Sequence, residues 1–176
     1  MTTETQATIA EWAEKAFGPA PNDARIIARV NEEFAELLRA VTSHQLPEKI
    51  AEEAADVVIV LCRFAQLRKF DLFDMAYIHG KLFAGETPLR SALMHMHMLI
   101  DTVMFDQSDP WPADYVAGKL VASLARYLRD NYDLDLRDQI DKKMAINRKR
   151  EWRQDDTRHG YHVREDGPTK LGTFAR

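Results

Sequence analysis

The segment from Glu48 to Lys69 constrains the fold more than any other part of the chain. Its apolar residues recur at helical spacing, and from Val57 to Leu61 the segment is apolar on nearly every side. A helix that is apolar all round is normally buried in the centre of a core. The sequence therefore predicts a central helix that the other elements of the protein surround.

The other periodic segments also have helical spacing, and stretches that contain glycine and proline separate them. Alternating strand patterns joined by hairpin turns are missing, so the sequence predicts an all-α fold. We expect helices over Ile9 to Phe17, Asn22 or Asp23 to Val41, Glu48 to Lys69, Asp71 to about Phe83, Leu89 to Phe105, Ala113 to Tyr132 and Leu136 to Trp152.

The length and charge of the chain limit its class. A chain of 176 residues can bury one sizeable core, and we expect one domain over residues 1–153 and a polar C-terminal tail over residues 154–176. The net charge of −4 gives no general attraction to nucleic acid or to an anionic membrane. No apolar run approaches the roughly 20 residues of a membrane-spanning helix, and no signal peptide opens the chain. We therefore expect a cytoplasmic protein that binds neither nucleic acid nor membrane.

Two pairs of carboxylates lie on the predicted second and third helices. Glu33 and Glu36 are three residues apart on the second helix, and Glu53 and Asp56 are three residues apart on the third. Residues at this spacing point to nearly the same side of a helix, and the short turn between the helices makes them antiparallel neighbours. Four carboxylates then converge, and such oxygen ligands suit Mg²⁺ or Mn²⁺.

Either pair alone is typical of a solvated acidic helix face, because glutamate favours helices and their first turns. Asp56, however, directly precedes the most apolar stretch of the chain, and Glu53 shares its side. A charge near the core needs a partner, and no Lys or Arg lies at helical spacing from Asp56 between Ile50 and Leu61. These observations favour a metal site over an acidic surface.

Residues 32–36 read Glu-Glu-x-x-Glu, and residues 53–56 read Glu-x-x-Asp. This pair of motifs resembles the signature of the MazG-like all-α nucleoside triphosphate pyrophosphohydrolases. The resemblance covers residues 30–61 and implies a helical bundle that converts a (deoxy)nucleoside triphosphate to the monophosphate and pyrophosphate. It implies Mg²⁺, or Mn²⁺, as the cofactor, with Glu33 or Glu36 orienting the attacking water. The metal ligands implied are Glu33, Glu36, Glu53 and Asp56.

A second motif, Lys143-x-x-x-Asn147-x-x-Arg150, resembles the Lys…Asn…Arg ending of the same family, which faces the triphosphate. Its spacing predicts that Lys143, Asn147 and Arg150 lie along one side of the last helix. Without the first motif, these residues would be typical of a basic helix end that complements the helix dipole. Together the two motifs predict a cationic side opposite a metal cluster, as a polyphosphate requires.

The N-terminal helix is predicted to contribute side chains to a pocket for the base. Trp12 and Phe17 are candidates for stacking on a base, with a core anchor as the alternative for Trp12. Ile9 and Asn31 are candidates for contacts with the edges of the base. Ile9-x-x-Trp12 together with the Arg150-x-Trp152 ending resembles phage-type MazG relatives that act on purine deoxynucleotides, which favours dGTP. A dUTP- or dCTP-type pyrophosphatase of the same superfamily is the alternative.

Residues 89–132 separate the two motifs and are an insertion relative to small MazG-like domains. One interpretation is a degenerate second helical pair, because a shift of 62 residues aligns Asp71 with Asp133. A family-specific elaboration is the alternative, since helices also resemble one another by chance. The Met-rich stretch at residues 94–98 predicts packing against a partner helix. Family members are usually dimers or tetramers, so we expect a homodimer or a homotetramer.

Two other classes of protein stay open. One is a non-catalytic helical interaction protein with a decayed metal site. The other is a nucleic-acid-binding regulator that uses the basic residues between Lys142 and Arg153. The acidic net charge and the missing recognition motif make the regulator the weaker of the two.

Overall fold

The structure is a computed structural model that describes residues 4–20, 22–80, 87–105, 111–154 and 160–162. Within these ranges the chain forms seven helices and one short hairpin, which confirms the all-α class. The elements are α1 (Gln6–Phe17), α2 (Asp23–Thr42), α3 (Pro47–Arg68), α4 (Leu72–His79), α5 (Pro88–Met104), α6 (Ala113–Tyr132), α7 (Leu136–Asn147), β1 (Trp152–Gln154) and β2 (Gly160–His162). Most of the predicted tail and the predicted end of α4 at Phe83 lie outside the described residues.

Helix α3 is the centre of the core, as its apolar sequence predicts. It contacts α1, α2, α4, α6 and α7, and side chains along its length, such as Val57 and Phe64, are completely buried. Pro47 opens the helix, where its missing N–H costs nothing. Lys69, with φ 60°, ends it in the left-handed conformation.

The helices form two packed pairs, α2 with α3 and α5 with α6. The short helix that follows each pair crosses to the other one, so that α4 packs on α6 and α7 packs on α3. Lys69 and Asp133 both have left-handed backbone, and Asp71 and Asp135 both cap the next helix. Each of these features repeats after 64 residues. A shift of 64 residues therefore aligns the two helical pairs better than the shift of 62 residues expected from the sequence.

The 64-residue repeat shows what the second pair lacks. Ala117 and Leu120 occupy the positions that correspond to Glu53 and Asp56, and both are completely buried. Helix α6 therefore contributes apolar packing at the positions where α3 carries carboxylates.

The last helix ends earlier than its sequence predicts. Helix α7 stops at Asn147 rather than Trp152, and after a turn the chain enters β1, which pairs antiparallel with β2. The indole N–H of Trp152 donates to the carbonyl of Asn147 at 2.8 Å. The same carbonyl also accepts a hydrogen bond from the backbone N–H of Arg150 at 3.3 Å, so both bonds close the helix end. Arg150 consequently lies beyond the helix that carries Lys143 and Asn147.

The Met-rich stretch of α5 packs only partly within the chain, since Met94 is exposed. His95 and Met96 are buried, and the Nδ1 of His95 lies 3.2 Å from the hydroxyl of Ser123 on α6. His97 instead pairs with Asp101 on the exposed side of α5. The homodimer or homotetramer stays a prediction. Separately, none of the described helices is long and apolar enough to cross a membrane.

Gly118 sets the distance between α4 and α6. A Cβ at this position would lie 2.7 Å from the carbonyl carbon of Met75. Gly118→Ala should destabilise the protein by about 1 to 3 kcal/mol, because overpacking outweighs a gain in helix propensity of about 1 kcal/mol. Urea unfolding measures this change. The control Ala125→Gly, half-buried in the same helix, should lose only about 1 kcal/mol, and a Gly118→Ala variant as stable as wild type would contradict the close packing.

Candidate metal centre and adjoining pocket

Three carboxylates from α2 and α3 converge inside the protein. One oxygen from each of Glu33, Glu53 and Asp56 lies within 4.8 Å of the other two. Glu33 and Glu53 are each only 7% exposed, and the side chain of Asp56 is 15% exposed. Carboxylate oxygens grouped in this way are the donor set of a hard divalent cation such as Mg²⁺.

The local sequence explains why these carboxylates face inward. Glu33 lies three residues after Val30 and four before Leu37, and both of these apolar side chains are completely buried. Glu53 likewise lies four residues before the buried Val57. Because residues at these spacings share one side of a helix, the carboxylates lie beside the apolar contact between α2 and α3.

Glu36, the fourth predicted ligand, is exposed and lies outside the group of three. Its negative charge is nevertheless close enough to raise the pKa of Glu33. The structure thus brings three of the four predicted ligands together and leaves Glu36 at the edge of the cluster.

Two of the three carboxylates have cationic partners on their own helices. Nη2 of Arg29 contacts Oε1 of Glu33, and Nζ of Lys49 lies 2.7 Å from Oε1 of Glu53. In both pairs the residues are four apart, the spacing that brings side chains together on a helix surface. Each helix therefore compensates part of the charge that it buries.

Lys143 brings a third cation from α7. Its Nζ lies 2.6 Å from Oδ2 of Asp56 and also donates to Glu52, and Lys143 is only 6% exposed. Helical spacing within α3 could not reveal this partner of Asp56, because α7 docks on α3 from far along the chain. In this structure Lys143 is paired with carboxylates, and its contact with phosphate stays a prediction.

The cluster remains acidic after these pairings. Arg29, Lys49 and Lys143 supply three positive charges. The carboxylates in the same network are Glu32, Glu33, Glu36, Glu52, Glu53 and Asp56. An excess of negative charge at a buried site favours the binding of a divalent cation.

Burial raises the pKa of Glu33 to about 7, since the desolvated carboxylate is costly to ionise. Arg29 opposes this rise, and the charges of Asp56, Glu36 and Glu53 add to it. Burial also raises the pKa of Asp56 to about 6 despite the contact with Lys143. Carboxyl groups that titrate near neutrality in a cluster are typical of functional sites.

A cavity of about 310 Å³ adjoins the carboxylates and runs along α3. Asp56 and Arg63 line it on the same face of the helix, with apolar side chains between them. Seven residues of helix span about 10 Å. Asp56 marks the carboxylate end of the pocket. Arg63 marks the other end, where its guanidinium donates to the carbonyl of Gly18.

Three aromatic rings form one wall of this pocket. The rings of Trp12, Phe17 and Trp152 meet edge to face, with centroids 5.1 to 5.7 Å apart. Gly18, whose φ of 70° ends α1, brings the chain back beside them. The carbonyl of Asn147 holds the indole N–H of Trp152. Such a wall is suited to packing against a flat ligand ring.

The other predicted binding residues have different positions. Asn147 lines the pocket. Ile9 is completely buried in the core, so it has no surface for a base, which corrects its predicted role. Asn31 is exposed on α2 and is not among the residues that line the pocket. Arg150 also lies outside the pocket lining, and its Nη1 lies 3.4 Å from Oδ1 of Asn147.

The sequence analysis missed three arginines that line the pocket, Arg25, Arg29 and Arg63. Arg25, Arg29 and Glu33 follow one another at intervals of four residues. Helical spacing therefore places them on one side of α2. Arg63 follows Asp56 by seven residues, which again corresponds to one helix face. The same spacing rule that found the carboxylates therefore contained the signal for the arginines.

A comparison with protein-family models gives an independent result. Residues 22–82 match the MazG nucleotide pyrophosphohydrolase domain. The matched part is about a third of the chain and includes α2, α3 and α4, and therefore all three carboxylates. The chain has no significant match among curated proteins or among solved structures. Residues 22–82, which carry the carboxylate cluster, are therefore similar to a MazG nucleotide pyrophosphohydrolase domain.

Proposed function

We propose that this enzyme hydrolyses a deoxynucleoside triphosphate, with dGTP preferred, to the monophosphate and pyrophosphate in a Mg²⁺-dependent reaction. The observation that carries the proposal is the convergence of Glu33, Glu53 and Asp56 within 4.8 Å beside a pocket with aromatic walls. A dUTP- or dCTP-type activity is the alternative substrate class, and Mn²⁺ is the alternative metal.

The carboxylate cluster fits a divalent cation in its chemistry. It offers oxygen atoms alone, it is shielded from solvent, and its carboxylates outnumber the cations that pair with them. Glu33, Glu53 and Asp56 would hold the ion, and Glu36 lies near enough to contribute from the exposed side. When bound, Mg²⁺ supplies positive charge to phosphate oxygens and lowers the pKa of water.

Glu33 is the better of the two candidates for orienting the attacking water. It lines the pocket, whereas Glu36 does not. Its pKa of about 7 lies close to neutral pH, where a general base is most effective. Arg29 contacts one of its oxygens and so fixes the direction of the carboxylate.

The remaining pocket residues divide between phosphate and base. Arg29 and Asn147 offer N–H donors that can position a triphosphate, and Arg29 also supplies positive charge. Lys143 acts on the metal site indirectly. Its ion pair of 2.6 Å with Asp56 holds that carboxylate in position. Trp12, together with the other two aromatic rings, packs against the base.

Glu53→Gln should lower kcat/KM for triphosphate hydrolysis roughly 100-fold or more, because the amide removes one anionic ligand from the cluster. Pyrophosphate release in the presence of Mg²⁺ measures this, across a panel of deoxynucleoside triphosphates. Glu48→Gln is the matched control, since Glu48 is exposed in the first turn of the same helix and its loss should leave turnover unchanged. Unchanged turnover in Glu53→Gln would contradict the assignment of Glu53 as a metal ligand.

Metal binding should depend on pH because the pKa values of Glu33 and Asp56 are raised to about 7 and about 6. Below these values both carboxyls hold protons, and a cation must displace them. The rise in melting temperature that Mg²⁺ produces should therefore be large at pH 8 and should shrink as the pH falls to 5.5. Thermal unfolding with and without Mg²⁺ at each pH measures this, and a shift independent of pH would argue against binding at this cluster.

A further inference from the structure

Arg63 differs from the two cations that contact Glu33 and Asp56 at the carboxylate end of the pocket. Arg29 and Lys143 both form ion pairs with carboxylates of the cluster. Within the part of the chain that the structure describes, Arg63 forms no ion pair with a carboxylate, and its hydrogen bond goes to the carbonyl of Gly18. Burial lowers the pKa of Arg63, with Glu14 opposing the change only through its charge. A half-buried guanidinium in this situation retains hydrogen-bonding capacity for a ligand.

The guanidinium of Arg63 is also held in place. Gly18 adopts a φ of 70° at the end of α1 and is followed by Pro19, so its carbonyl has a defined direction. Arginine has five N–H donors in a planar fork, and the bond to Gly18 uses one of them. The side chain lines the pocket, which leaves the other donors available on a fixed support.

Arg63 lies at the end of the pocket where the base of a nucleotide would bind, away from the end that would hold the phosphates. It lies seven residues beyond Asp56 on the same face of α3, a separation of about 10 Å along the helix axis. A nucleotide whose phosphates lie at the carboxylate cluster would extend its base towards this end. Phe17, which immediately precedes Gly18, contributes a ring of the aromatic wall there.

We propose that Arg63 determines base specificity by donating two hydrogen bonds to the O6 and N7 atoms of a guanine base. This proposal rests on the proposed function, because it assigns the base end of the same pocket. Guanine has two adjacent acceptors on this edge, and an arginine fork matches them. Adenine has an amino group in place of O6, which opposes the fork with a donor. Pyrimidines have no imidazole ring and therefore no N7 beside a carbonyl oxygen on this edge.

The test compares dGTP with dATP in wild type, Arg63→Gln and Arg63→Lys, with kcat/KM measured by pyrophosphate release. The ratio of the two kcat/KM values should fall roughly 10- to 100-fold in Arg63→Gln, with the value for dATP nearly unchanged. Arg63→Lys keeps the charge but loses the fork, so it should also lose most of the ratio. Arg68→Gln is the control, since Arg68 lies on α3 outside the pocket lining and pairs with Asp23; it should keep the ratio.

An equal loss for dGTP and dATP in Arg63→Gln would overturn the proposal, because it would indicate a contact with phosphate. An unchanged ratio would also overturn it. Binding of dGMP and dAMP, followed by tryptophan fluorescence, separates this proposal from the proposed function because it needs no hydrolysis. Arg63→Gln should weaken dGMP binding about 10-fold and leave dAMP binding unchanged. If wild type hydrolysed no triphosphate yet showed this preference, the proposed function would fail and the role of Arg63 would stand.

Discussion

Burial of like charges between two packed helices is the constraint on which the rest of this structure depends. Carboxylates in a low-dielectric setting repel one another and are costly to ionise, and Glu33 and Asp56 respond with raised pKa values. Cations from three helices compensate part of this charge, and one of them, Lys143, lies on α7. The docking of α7 on α3 is therefore both a packing contact and a source of charge for the site.

The pocket separates two kinds of chemistry along a single helix. At one end of α3, Asp56 belongs to a polar and acidic cluster. Two turns further on, Arg63 stands beside aromatic rings. A nucleoside triphosphate has the same division, with anionic phosphates at one end and a flat ring at the other. In the second helical pair, apolar residues such as Ala117 and Leu120 occupy the matching positions, so the repeat preserves packing and confines the charge cluster to the first pair.

Local patterns predicted much of the fold, and contacts between distant segments account for what they missed. Prolines and glycines predicted most helix bounds to within a few residues. A spacing of three predicted that Glu53 and Asp56 lie together, whereas Glu36, at the same spacing from Glu33, is exposed. The partner of Asp56 escaped prediction because Lys143 reaches it only through the docking of α7. The end of α7 was wrong for a related reason, since the indole of Trp152 caps it through a bond that no periodicity encodes.

The most direct test of this account is to locate a bound metal. A crystal of the protein grown with Mn²⁺ and measured at the manganese absorption edge gives an anomalous difference map that identifies the ion by element. The account predicts a peak between the carboxylates of Glu33, Glu53 and Asp56. A fully ordered cluster without such a peak, or a peak confined to another part of the protein, would contradict it.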